Sequence, residues 1–187
     1  MFGGVPTMGG MRTVYEAMGG ADAVLALAEA WHARCLADPI LSHPFEGEIH
    51  PQHTERLAAY WAEQLGGPTH YTESMGDYSL VIRFHSGNGP HEQMDGRGIA
   101  AFVLALDDAG IPDNPDLRFN LIAWFGWATA MLNHHWSTPE EVPADLPLPS
   151  WGWEGTDGWC PSSRRQARHT RCRQLPTVTS KITIRPV

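Results

Sequence analysis

Cysteine is scarce in this chain: Cys35, Cys160 and Cys172 stand far apart among 187 residues, with no Cys-x-x-Cys pair. That argues against a disulfide framework and against a thiolate zinc site. No apolar run approaches the ~18 residues a membrane span needs. Met1-Phe2-Gly3-Gly4 also lacks the charged and apolar regions of a signal peptide. The expectation is a soluble, cytoplasmic chain with no membrane partner. The signatures GxSxG, GxxxxGK[ST], HExxH and the dinucleotide-binding glycine pattern are absent, which weighs against a nucleophile-triad enzyme. Acid is missing from one end: after Cys160 there is no Asp or Glu, while Arg164, Arg165, Arg168, Arg171, Arg173, Lys181 and Arg185 contribute +7. The residues before them carry 6 basic and 21 acidic side chains, a net of -15 within a total of -8. A body that acidic repels a phosphate backbone, so no nucleic acid partner is expected.

What is present reads as helix. An apolar content of 42% with 10% aromatics predicts one principal globular domain. After a glycine-rich lead-in over 1–12, Val24, Leu25, Ala28, Trp31, Cys35 and Leu36 recur at helical spacing up to Asp38-Pro39. A corner at Ser42-His43-Pro44-Phe45 leads to a second helix with Leu57, Tyr60, Trp61 and Leu65 on one face, stopped by Gly66-Gly67-Pro68. Tyr78 to Phe84 has strand propensity but no matching partner strand. Ile99, Phe102, Val103 and Leu106 mark a further helix, and Leu117, Leu121, Trp124, Phe125, Ala128 and Leu132 the clearest one. Beyond Trp136, four prolines between Thr138 and Ser150 predict an irregular extension. Trp151, Trp153 and Trp159 are expected to fold back on the body. From 161 onward, seven cations with few apolar residues predict disorder.

Carboxylate pairs carry little: Asp107-Asp108 and Glu140-Glu141 are adjacent at a helix end or in a loop, where solvated surface is the simpler reading. The ten histidines are more informative. His32 lies four residues after Ala28 and His53 four before Leu57, so each shares its helix's apolar stripe. His85 ends the ordered run Leu80-Val81-Ile82-Arg83-Phe84 beside the turn Ser86-Gly87-Asn88-Gly89-Pro90. Each alone reads as a hydrogen-bonded structural imidazole. Three inward histidines on three segments are less easily dismissed. His43, His50, His70, His91 and His169 read as solvated loop residues. His134 and His135 diverge by about 100° on a helix, so at most one of them faces inward.

Taken together, Tyr15-Glu16-Ala17-Met18-Gly19-Gly20, Leu36-Ala37-Asp38-Pro39 leading to Phe45, Leu57 to Gly66-Gly67-Pro68 with Tyr71, and a histidine at 85 resemble the truncated hemoglobins of group II. The resemblance covers residues 13–136. It implies an all-α truncated globin fold, a helix-on-helix sandwich around heme b (iron protoporphyrin IX), followed by an irregular extension over 137–160 and a basic tail over 161–187. It implies that the apparent strand is the short helix and loop that deliver the metal ligand His85. Phe45 matches the corner aromatic that packs on the porphyrin, His53 the distal position, Leu57 an apolar residue over the ring, and His32 the place of a distal tyrosine. The implied activity is reversible binding of dioxygen or another diatomic gas, for storage, transport or sensing. Nitric oxide dioxygenation and weak peroxidase chemistry are further activities the resemblance admits, and turnover would need an external reductant.

The departures are specific. An ungapped count from His85 puts Gly98 where group II members carry a tryptophan, which predicts a wider pocket that Trp124 or Trp127 partly fills. Phe84 replaces the usual arginine before the histidine, and the usual phenylalanine three residues after it is missing. Two other readings compete. One is a heme-free helical interaction module of globin fold. The other is a non-heme metal site built from His32, His53 and His85.

Overall fold

The computed structural model describes residues 12–47, 49–88, 91–133 and 136–156. These residues contain seven α-helices: α1 (Val14–Met18), α2 (Gly20–Ala37), α3 (His53–Gln64), α4 (His70–Ser74), α5 (Tyr78–His85), α6 (Glu92–Asp108) and α7 (Pro115–Asn133). Two short turns of 3-10 helix, His43–Phe45 and Pro139–Glu141, and a two-stranded hairpin complete the set. All of them fall within a contact unit spanning 1–157; the remainder, 158–187, is a separate unit outside the described residues. The lead-in before Arg12, His134, His135, Trp159 and the basic tail likewise lie outside the description.

The chain starts its first helix with a reciprocal cap. The Thr13 hydroxyl accepts from the Glu16 N–H and the Glu16 carboxylate accepts from the Thr13 N–H, which satisfies two donors a helix start leaves open. Gly66 and Gly67 then let α3 end tightly against α1. Gly66 sits at φ 87°, and a Cβ on Gly67 would lie 2.7 Å from the Ala62 carbonyl oxygen and 2.9 Å from the Tyr15 ring. Only glycine allows that approach. Tyr15 N–H donates to the Leu65 carbonyl at 3.0 Å across the same joint, so Tyr15 at the start of the first motif packs on the Gly66-Gly67 stop of the second.

Helix α2 packs chiefly on α3 and α6, and α6 on α7, giving a helix-on-helix sandwich. Its centre is aromatic. Phe102 and Phe125 stack 4.0 Å apart at 8°, and Trp61 meets Trp31, Phe102, Trp124 and Phe125 edge-on at 5.6 to 5.9 Å. These rings come from α2, α3, α6 and α7 and bury large area in favourable edge and offset geometries.

The segment Tyr78–His85 is a helix despite its β-branched residues. The Asp77 carboxylate accepts from Leu80 N–H at 2.8 Å, and Tyr78, Ser79 and Ile82 are buried, so a cap and packing outweigh strand propensity. The short α4 carries no periodic signal strong enough to read from the sequence. Residues 136–156 return to the body: strands β1 (Trp151–Gly152) and β2 (Gly155–Thr156) pair antiparallel, Trp151 against Thr156. Trp151 packs on Trp127 at 5.2 Å and donates through Nε1 to Asn120 Oδ1 at 3.0 Å, and Trp153 Nε1 donates to the Arg12 carbonyl. Both tryptophans thus fold back as expected.

Candidate heme site

Three of the five residues singled out come together. The His32 and His53 rings lie 5.0 Å apart, and the Phe45 ring meets them at 4.8 and 5.7 Å. The loop that carries Phe45 is set by Asp38 at the end of α2. Its carboxylate accepts from Ile40 and Leu41 N–H at 2.9 and 3.1 Å and pairs with Arg97 at 3.3 Å. The Ile40 N–H foremost, then Leu41 and Arg97, hold that carboxyl below its ordinary pKa against the opposing effect of burial. Phe45 also packs, with Trp31 and Met94, on the buried set Cys35, Leu41 and Ala101. The Cys35 thiol is pushed up to about 12, by burial first and the Asp38 charge second, so it packs as an apolar group. Leu57 stands one turn beyond His53 on α3, half-buried.

The two histidines have an unusual polar balance. Nε2 of each is buried and has no hydrogen-bond partner within the protein. Burial lowers the pKa of both rings, and for His53 the neighbouring His32 and His50 add to the effect. Buried polar atoms are normally paired. Two unpaired nitrogens on adjacent rings mark a place where a polar guest would be received.

His85 is built differently. It is the last residue of α5, and its Nδ1 lies 2.8 Å from the Val81 carbonyl oxygen. A carbonyl only accepts, so Nδ1 carries the proton and Nε2 keeps its lone pair, the arrangement that fixes a metal-binding imidazole. The ring is exposed by area, yet burial is the largest influence on its pKa and lowers it, opposed by the Val81 hydrogen bond. Among the described residues no three His, Cys, Asp or Glu side chains group as a metal site, so His32, His53 and His85 do not form a non-heme centre.

Two expectations are corrected. Neither Trp124 nor Trp127 takes the space beside Gly98: a Cβ there would meet Leu41 Cδ2 at 4.0 Å, while Trp124 is fully buried in the aromatic core and Trp127 packs on Trp151. The indole that comes to Gly98 is Trp31, whose Nε1 donates to its carbonyl at 3.1 Å. Periodicity places Trp31 on the apolar face but cannot show this bond. His91 is not a loop residue in solvent either. It precedes α6 at the N-cap position, half-buried, with Nδ1 3.2 Å from the Asp95 carboxylate. His43, His50 and His70 are exposed.

The family described as bacterial-like globin matches residues 13–125. The chain belongs to the bacterial-like globin family. Solved structures agree. A hemoglobin from the thermophilic phototrophic bacterium Chloroflexus aurantiacus is 27% identical with a TM-score of 0.57, over 66% of this chain and 99% of its own. A thermostable hemoglobin from Thermobifida fusca is 26% identical with a TM-score of 0.55, over 72% and 100%. The group II truncated hemoglobin of Bacillus anthracis, at 21% identity, shares the fold with a TM-score of 0.59 over 67% and 94%. No curated protein sequence matches the chain. This globin therefore has the truncated hemoglobin fold, and its family implies that it binds heme.

The side chains fit that group. His85 offers a correctly protonated imidazole on one segment, and the unpaired His32 and His53 nitrogens with the Phe45 ring offer polar and aromatic contacts on others. No helix among the described residues is long and apolar enough to cross a membrane. The lowered pKa values of His32 and His53 carry a pH consequence. The unfolded chain binds protons below about 6.5 that these folded rings refuse, so this stability is complete above that pH and lost as pH falls through the lowered values. In the heme-free chain, unfolding free energy is expected to rise with pH on the acid side of about 6.5, with a shallower slope in His53→Leu. An unchanged slope contradicts the assignment.

Proposed function

We propose that this globin reversibly binds dioxygen or another diatomic gas at a heme b iron held by His85, with His53 and His32 on the distal side and Phe45 and Leu57 packing on the porphyrin. When bound, heme supplies an iron with one coordination position open to a small ligand. The observation that carries the reading is the contrast between the histidines: one has its Nδ1 proton engaged and Nε2 free, and two have buried, unpaired Nε2 atoms. His85 donates its lone pair while the Val81 carbonyl holds its ring. His32 and His53, kept neutral by burial, each present one N–H, a donor that favours a ligand able to take up negative charge, such as dioxygen, over carbon monoxide.

We assign the globin domain to residues 13–136, with 137–160 as an extension and 161–187 as a basic tail, in a cytoplasmic protein. Turnover such as nitric oxide dioxygenation or peroxide reduction would draw on an external reductant. The reading is tested by the rate of dioxygen release from the ferrous protein. His32→Leu or His53→Leu is expected to speed release by about five- to tenfold, the worth of roughly one hydrogen bond. No change in either variant contradicts a distal role for this pair.

A further inference from the structure

The family match ends at residue 125, so residues 136–156 lie beyond it. They lie against α5, the helix that ends in His85, through the Pro139–Glu141 turn. Leu146 N–H donates to the Ser79 hydroxyl at 2.9 Å, and Ser79 is 1% exposed. Val142 is 4% exposed, and its carbonyl accepts a long bond, 3.4 Å, from Arg83 Nη2. A Cβ on Gly87 would meet the Ser137 carbonyl oxygen at 3.4 Å and Pro139 Cδ at 3.5 Å. The segment therefore touches α5 in its first turn, in its last turn and just past its end. At its far end, Asn120 of α7 receives the Trp151 indole N–H and donates to the Gly152 and Trp153 carbonyls at 3.2 Å.

An eight-residue helix has no independent stability in water. Its position is set by what packs on it. Tyr78 and Ile82 tie α5 to the core, α5 packs directly on α7, and the segment after α7 adds a further hold along its first and last turns. We infer that residues 137–146 form a strap that positions His85, coupling the placement of its imidazole to α7 through Ser79, Arg83 and Val142. The strap touches neither the ring nor Val81 in any bond described; it acts through the helix that carries both. The inference rests on His85 being the axial ligand.

The test uses the full chain with Ser79→Ala, which removes the acceptor for Leu146 N–H, and Val142→Ala, a mild truncation that keeps the fold. In the heme-free protein, amide hydrogen exchange over Leu80 to His85 is expected to quicken by about fivefold or more while that of α7 is unchanged. In the hemin-reconstituted ferrous protein, the iron–histidine stretching band is expected to shift or broaden in both variants. Unchanged exchange in α5 together with an unchanged band overturns the strap, as does faster exchange spread equally over α5 and α7. His85→Gly with added imidazole separates the two ideas. Loss of the band and its return with imidazole supports the ligand assignment, whereas a wild-type band in His85→Gly overturns that assignment and the positioning role with it.

Discussion

Trp124→Ala is expected to lower the unfolding free energy by about 3–5 kcal/mol, the range for truncating a large aromatic in a core that cannot collapse around the space. Trp124 is fully buried on α7 and meets Trp61, Phe102 and Phe125 at about 6 Å or closer, so its removal opens the junction of α3, α6 and α7. Its indole Nε1 has no partner within the protein, which separates shape from polarity. Trp124→Phe keeps an aromatic ring and removes the unpaired N–H, so it is expected to be markedly milder than the alanine variant. Denaturant unfolding followed by far-UV circular dichroism compares the two. Equal losses in both would mean that an indole hydrogen bond, and not ring packing, is what the core requires.

His85→Ala is expected to leave the fold near wild type and to weaken hemin retention by more than about 100-fold, the upper end of what losing a partner that only orients a ligand costs. The ring is exposed by area, so its loss opens no core cavity. Its ring hydrogen bond, Nδ1–H to the Val81 carbonyl, leaves that carbonyl open to solvent when removed. Transfer of hemin to an excess of apomyoglobin measures retention. Val81 deserves comparison as a position whose backbone, not its side chain, matters: Val81→Ala is expected to keep the His85 orientation.

Much of this was legible in the sequence because periodicity and glycine punctuation report packing. The apolar stripes at Val24 to Cys35 and Leu117 to Ala128 gave the two long helices, and Gly66-Gly67 gave a stop whose reason is the close approach of Tyr15 and the Ala62 carbonyl. The motif that carries the family resemblance is thus a structural joint. His32 and His53 were placed on inward faces by helical spacing, and their rings do meet, with Phe45 beside them. Other features depend on contacts between residues far apart in the chain. Trp31 donates to Gly98 across 67 residues, and Ser79 accepts from Leu146 across the same separation. No local pattern encodes such pairs. The propensity of Tyr-Ser-Leu-Val-Ile-Arg-Phe pointed to a strand, and only the Asp77 cap with burial of Tyr78 and Ile82 makes it the helix that carries His85.

The central claim is that this chain holds heme through His85, and the most direct measurement is a hemin titration of the full-length protein followed by absorbance in the ferric, ferrous and ferrous–carbon monoxide states. The expected result is saturation at one hemin per chain, a Soret band in all three states, and a reversible shift on adding carbon monoxide that His85→Ala abolishes. A chain that gives no Soret band after hemin addition would contradict the account and leave a helical interaction module of globin fold in its place.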